Sequence, residues 1–240
     1  LQHSQKLTAF WASPKTKSAG GSSPPTKIRS ACKTATLDSP HFSVGIDPGY
    51  GETGVVLVEH SEYTDSLIEY GLVRDHFGSS FPTVFRSQAV AVRVIERLLE
   101  WVHKHHIRFL DIAIEMPIYN LNVDAFAKQS TLIQAIEALI CSHVAPLVER
   151  CWIVEPSPSE SKHLATGSGS ATKAEVFRAS PYSRPQFKSV REALGESSVE
   201  TLADAWAHSL ATRGRTERRF DTRMMEWPEP QRRNEDNDST

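Results

Sequence analysis

Five short apolar runs lie between residues 41 and 154, and their order limits the folds open to this chain. Three come close together, from His41 to Ile46, Thr53 to Val58 and Leu67 to Val73. Connections that short join antiparallel neighbours, because a parallel return needs a crossover of about a dozen residues or more. Next, Arg86 to His106 places Val90, Val94, Leu98 and Val102 on one helical stripe. Phe109 to Glu115 reads as a buried strand, Asp124 to Val148 as a second helix, and Cys151 to Val154 as the fifth strand. Ala171 to Ala179 and Val199 to Thr212 read as further helices, with a Gly/Ser loop ahead of the first.

Three strands followed by helix–strand–helix–strand–helix is the element order of a ribonuclease-H-like α/β fold. Its sheet is expected to be five-stranded and mixed, three antiparallel strands then two parallel ones, flanked by helices. Right-handed crossovers would place the fourth strand beside the first. Asp47 and Glu115, which end those two strands, would then share one sheet edge.

Composition sets the boundaries. At 240 residues and 39% hydrophobic the chain can bury one good core. Residues 1–40 are Ser-, Pro- and Lys-rich without periodicity and read as a disordered basic tail, 41–212 as one domain, and 213–240 as a charged tail. From Leu1 to Leu37 there are six basic residues and no acid, so the near-neutral net charge of −2 still leaves room for a polyanion partner. That first tail suits a transit peptide, a DNA-holding arm or a plain solvated extension. The first residue is Leu, as in a processed form or fragment, and no apolar start suggests a secretory signal. No run is expected to be apolar enough to cross a bilayer. Three cysteines without a CxxC pair argue against a disulfide framework. Cys141, His143 and Cys151 could be ligands, but the simpler reading makes both cysteines small buried hydrophobes.

The chemistry-bearing residues are few. Asp47 sits in Gly45-Ile46-Asp47-Pro48-Gly49, ahead of Thr53-Gly54. Glycines allow close backbone approach to a phosphate or metal, although Asp-Pro-Gly is also an ordinary turn. Glu115 closes an apolar strand, which is costly unless it is solvated, paired or bound to a cation. Asp204 lies in an otherwise apolar helix, on a stripe with Glu200, Thr201 and His208 that a solvated face would explain equally well. Crowded carboxylates are favourable only around cations, and hard oxygen ligands suit Mg²⁺ or Mn²⁺. Lys162 and Lys173 flank a Gly/Ser stretch that reads either as a phosphate cradle or as a flexible loop.

Together these segments resemble the RuvC family of Holliday-junction resolvases, from about residue 43 to residue 212. Gly-Ile-Asp47-Pro-Gly with Thr53-Gly54 resembles its first motif and Glu115 its second acidic site. Lys162, Thr166-Gly167-Ser168-Gly169, Ala171 and Lys173 resemble its Lys–TGxGxA–K segment, and Asp204-Ala205 its last acidic motif. The resemblance implies Mg²⁺-dependent cleavage of symmetrical strands of a four-way DNA junction by a homodimer, without a membrane. Asp47 would bridge two ions (Mn²⁺ substituting for Mg²⁺), with Glu115 and Asp204 holding one each. Lys162 and Lys173 would hold the phosphodiester, and Thr166, Gly167 and Gly169 would meet the DNA beside them. The place of action would be DNA-associated and intracellular, or an organelle if the tail is a transit peptide.

Two positions depart from the family. Thr201 stands where an Asp or His is usual, so Glu200, one helical turn before Asp204, is expected to supply a fourth carboxylate. Ile118 stands where an aromatic is frequent, and the adjacent Tyr119 is expected to stack on an unpaired base. Three rivals are a silent junction- or RNA-binding protein on this scaffold, a nuclease for other branched DNA, and an actin-like ATPase. The last lacks its duplicated domain and second phosphate loop.

Overall fold

The computed structural model describes residues 41–61, 64–77, 80–119 and 122–213. The expected tails, 1–40 and 214–240, lie outside them, with the transit-peptide and DNA-arm readings of the first. Arg213, assigned above to the second tail, donates to the Ser61 carbonyl at 3.1 Å and meets Asp65 at 2.8 Å.

Strands β1 (His41–Asp47), β2 (Glu52–His60) and β3 (Asp65–Arg74) form the expected antiparallel meander. Strands β4 (Phe109–Ile114) and β5 (Arg150–Val154) add in parallel on the other side of β1, giving the order β3-β2-β1-β4-β5. The two crossovers are helix α1 (Thr83–Lys104) and helix α2 (Val123–Leu139), the latter continued by π and 3₁₀ turns to Leu147. This is the ribonuclease-H-like sheet that the element order predicts.

Alternation along the strands divides the interior in two. Phe42, Val44 and Ile46 of β1, Val55 and Leu57 of β2, and Leu110, Ile112 and Ile114 of β4 face α1 and α2. Each such residue, fully buried, contributes about 1.5–3 kcal/mol against exposure. The opposite face packs Val56 and Val58 against helix α4 (Lys173–Ala179) and helix α6 (Glu196–Ser209). By the same alternation Gly45, Asp47, Ala113 and Glu115 belong to the α6 face. The site is therefore decided by strand parity.

Helix α6 crosses β1 and β2 closely because glycine stands beneath it. A Cβ on Gly45 would lie 1.8 Å from the Ala205 carbonyl oxygen and 2.8 Å from the Ser209 nitrogen. One on Gly54 would lie 2.8 Å from the Thr201 carbonyl oxygen and 2.9 Å from its Cγ2. Any larger residue would push the helix, with Asp204 and His208, away from the strand ends.

The structure corrects several expectations. The segment before Gly167 is a helix not expected from the sequence, α3 (Pro158–Thr166), so Lys162 is held on a helix ahead of the Gly/Ser stretch. Ser157 caps it by accepting from the Glu160 amide, with Pro158 at its first position, signals legible in Ser-Pro-Ser-Glu. Helix α5 (Lys188–Leu194) was not anticipated. Of Cys141 and Cys151, the second is buried and the first exposed, because Cys141 falls on the outer side of the α2 extension. Val123–Leu147 does have the length and hydropathy to cross a membrane, contrary to expectation. In this fold, however, its Leu132, Ile133, Ile136, Ile140 and Val144 enter the core shared with α1.

Ser43, His60 and Asp65 form a hydrogen-bonded row, at 2.6 Å and 2.5 Å, in the order of a hydrolase triad. Ser43 is completely buried, so no substrate can reach its hydroxyl. The row is a satisfied core network tying β1 to the β2–β3 turn.

Candidate metal centre

Asp47 is the last residue of β1, and its register partner on β2 is Gly54. Glu115 follows β4, and its amide donates to the Ile46 carbonyl at 3.1 Å, so the parallel pairing holds both carboxylates at one edge. From above, α6 brings His208, with only 2% of its surface exposed. One donor atom each from Asp47, Glu115 and His208 lie within 4.8 Å of one another, a group that could hold a metal ion. His208 Nδ1 shares a 2.8 Å hydrogen bond with Ser161 Oγ on α3. Its Nε2 has no hydrogen-bond partner and stands 3.9 Å from Glu115 Oε1.

Asp204 is placed differently. It lies one helical turn before His208, and its Oδ2 is 3.4 Å from Lys173 Nζ. Its charge nonetheless reaches both other carboxylates. Burial raises Glu115 to about 7, with Asp204 adding to the rise; Lys173, Gln129 and Lys162 pull the other way. Asp47 is held well above the usual carboxylate range by burial, then by Glu115 and Asp204, against Lys173. Asp204 is itself raised by burial, opposed by Lys173 and Lys162 and reinforced by Glu200. Burial pushes His208 down to about 3, so its ring is neutral. Burial opposes the charge on Lys173, but Asp204, Asp47 and Glu200 overcome it and raise its pKa. Three carboxylates each resisting ionisation are what a cation would reverse.

Both lysines of the Lys–TGxGxA–K segment therefore act on one charge cluster, from α3 and from the first turn of α4. The residues between them shape the turn. Gly167 ends α3 in the left-handed conformation, with φ 82°, and its amide donates to the His163 carbonyl at 2.7 Å. The Thr166 hydroxyl accepts from the Ser168 amide at 3.2 Å. A Cβ on Gly169 would lie 3.0 Å from the Ser159 carbonyl oxygen. Thr172 caps α4 in a reciprocal box with Glu175.

Glu200 is not among the converging donors; it reaches Asp204 and Lys173 only through charge, and lines a groove with Ala174, Phe177, Arg191, Glu196 and Val199. Thr201 is turned onto the sheet at Gly54. Tyr119 is exposed, its ring edge-on to Phe126 at 5.4 Å, and so is available for stacking. His208 is the member of this converging group that the sequence did not mark as a candidate ligand. Its signal was a place four residues after Asp204 on the same stripe.

The cluster makes a thermal prediction. Folded Glu115 keeps its proton to about 7, whereas the unfolded side chain releases it near 4.5. Between those values the folded state binds more protons, so metal-free stability falls as pH rises. The contribution is on the order of 3 kcal/mol when complete. Calorimetry from pH 5 to pH 8 in chelator is expected to show a falling Tm. Glu115→Gln flattens that fall, and added Mn²⁺ raises Tm more at pH 8 than at pH 5. A Tm in chelator that is equally flat for wild type and Glu115→Gln would show that the carboxylates are not crowded.

A sequence model of the family described as "Crossover junction endodeoxyribonuclease RuvC" matches residues 43–179. A curated protein of that description from Chlorobium chlorochromatii is 27% identical over 133 residues, covering 55% of this chain and 62% of the relative. One from Salinibacter ruber is 26% identical over 133 residues, covering 55% and 66% respectively. The chain thus spans somewhat under two thirds of the length of these relatives. Among solved structures, Thermus thermophilus RuvC in complex with a Holliday junction superposes with TM-score 0.50 at 22% identity. The match covers 71% of this chain and 91% of that one, and it shows a shared fold.

Proposed function

The chain belongs to the RuvC family, and from that membership we propose that it is an endonuclease hydrolysing phosphodiesters of branched DNA, four-way junctions first among them. The observation that carries the reading is the convergence of Asp47 and Glu115 at one sheet edge, under Asp204, with each carboxylate held above its ordinary pKa. The buried, unpartnered His208 Nε2 at the same spot fits a cation as well. Asp47, Glu115 and Asp204 would hold divalent ions, Mg²⁺ or Mn²⁺, and the proposal extends to two of them. Such ions supply an activated water and charge stabilisation for in-line displacement at phosphorus.

The chain's own residues then have distinct tasks. Strand pairing fixes Asp47 and Glu115 before substrate arrives, so little reorganisation remains for the reacting state. Lys173, 64% exposed and paired with Asp204, can exchange that carboxylate for an incoming phosphate oxygen. Lys162 adds positive charge from α3. Such phosphate contacts give affinity without reading sequence, so selection of a junction falls to DNA shape, with Tyr119 proposed to stack on an unpaired base. Nicks on both sides of a junction require two sites, so the proposal includes a homodimer.

A silent binder on the same scaffold is favoured by one observation, the packing of Thr201 onto Gly54, which puts no fourth carboxylate there. Cleavage of a synthetic four-way junction beside flap and duplex controls separates the readings. Paired symmetrical nicks that need a divalent cation are expected. Activity on flaps alone would defeat junction resolution, and binding without nicking under any divalent cation would favour the silent reading.

A further inference from the structure

We infer that His208 ligates the metal through Nε2, placing a nitrogen among the oxygens of Asp47 and Glu115 and inclining the site toward Mn²⁺ over Mg²⁺. This rests on reading the carboxylates as a cation site. The ring is buried, with 2% of the residue exposed, and its two nitrogens are treated differently. Nδ1 is engaged by Ser161 Oγ at 2.8 Å, itself a buried hydroxyl. With Nδ1–H donating to that oxygen, the Nε2 lone pair is left free and directed at the carboxylates. The opposite tautomer would aim an N–H at Glu115, but 3.9 Å is too long for that hydrogen bond.

The same separation suits two ligands of one ion. With metal–ligand bonds of about 2.1 Å, neighbouring donors in an octahedron stand about 3 Å apart and opposite ones about 4.2 Å. The three donor atoms already lie within 4.8 Å of one another, so small side-chain rotations close the set. Ser161 is then a positioning residue, holding the tautomer and ring plane as outer partners of metal-bound histidines do. The helix contributes as well: residues four apart share a face, so α6 delivers Asp204 and His208 together. Gly45 lets that face come down on the strand end.

The donor set has a chemical consequence. Mg²⁺ is hard, dehydrates reluctantly and favours oxygen, whereas Mn²⁺ accepts an imidazole nitrogen more readily. A nitrogen at this position therefore costs Mg²⁺ more affinity than it costs Mn²⁺.

Pulsed electron paramagnetic resonance of the full chain loaded with Mn²⁺ alone tests this, together with Mn²⁺ and Mg²⁺ titration calorimetry. Wild type is expected to show the ¹⁴N coupling of a directly bound imidazole. His208→Asn is expected to bind Mn²⁺ without that coupling and to lose about tenfold of the preference for Mn²⁺ over Mg²⁺. Ser161→Ala, which spares the ring, retains the coupling but weakens Mn²⁺ binding by about tenfold, and serves should His208→Asn not fold. Bound Mn²⁺ without nitrogen coupling in wild type, or coupling that survives in His208→Asn, would overturn the role of His208 alone. Wild type that binds no Mn²⁺ would take the cation site down with it.

Discussion

Asp47→Asn lowers metal-dependent cleavage of a four-way junction by on the order of 10³-fold or more, while junction binding persists. The substitution is nearly isosteric and sits at the end of β1, so backbone pairing with Gly54 and the core beneath it are undisturbed. It removes a charge that the folded protein already disfavours, because burial, Glu115 and Asp204 all oppose its ionisation. The variant should therefore be at least as stable as wild type without metal, and lose the stabilisation that metal confers. Stability and activity moving in opposite directions is the signature of a residue held for a cation rather than for the fold. Single-turnover cleavage, a binding titration on the same junction and calorimetry in chelator read the three quantities. A variant that cleaves within tenfold of wild type would remove Asp47 from the site.

Gly45→Ala acts through the scaffold instead. The new methyl would fall 1.8 Å from the Ala205 carbonyl oxygen and 2.8 Å from the Ser209 nitrogen, both backbone atoms of α6. No rotamer change relieves that overlap, so the helix must lift or the strand must bow. Overpacking of this kind costs about 3 kcal/mol or more. At roughly 2–4 °C per kcal/mol for a domain of this size, Tm falls by about 10 °C, or the chain fails to fold. Any folded fraction should bind metal poorly, since Asp204 and His208 travel with α6. Gly51→Ala is the control: nothing lies within 4 Å of a Cβ there, and its effect should stay within about 0.5 kcal/mol. Equal Tm values for the two variants would contradict the close crossing of α6 over β1.

Much of this architecture is legible in the residues. The meander, the two crossover helices and the adjacency of Asp47 and Glu115 follow from run lengths, linker lengths and crossover handedness, which are local or topological quantities. Parity along β4 was legible too, since Phe109 to Glu115 alternates faces and puts Glu115 with Asp111 and Ala113. Helix α3 is readable from Ser157-Pro158 and Glu160, but the Gly/Ser stretch that follows carries a loop signal of its own. The place of His208 four residues after Asp204 was readable, but its burial was not. A histidine on a polar stripe looks solvated until tertiary packing shows the stripe facing a strand end rather than water. Glu200, on the same stripe, lines a groove with Ala174 and Phe177 and acts on Asp204 and Lys173 through its charge. Gly45 read as a residue close to phosphate or metal, and its closest neighbour proves to be the backbone of α6. Helix register alone cannot say which part of a polar stripe meets the strand ends.

A divalent cation held by Asp47 and Glu115, under α6, is the central expectation. Crystals grown in Mn²⁺ and measured near the manganese absorption edge would locate the ion by its anomalous scattering. A peak is expected within bonding distance of a carboxylate oxygen of Asp47 and one of Glu115. Carboxylates drawn together around waters alone, with manganese peaks only elsewhere on the surface, would contradict it.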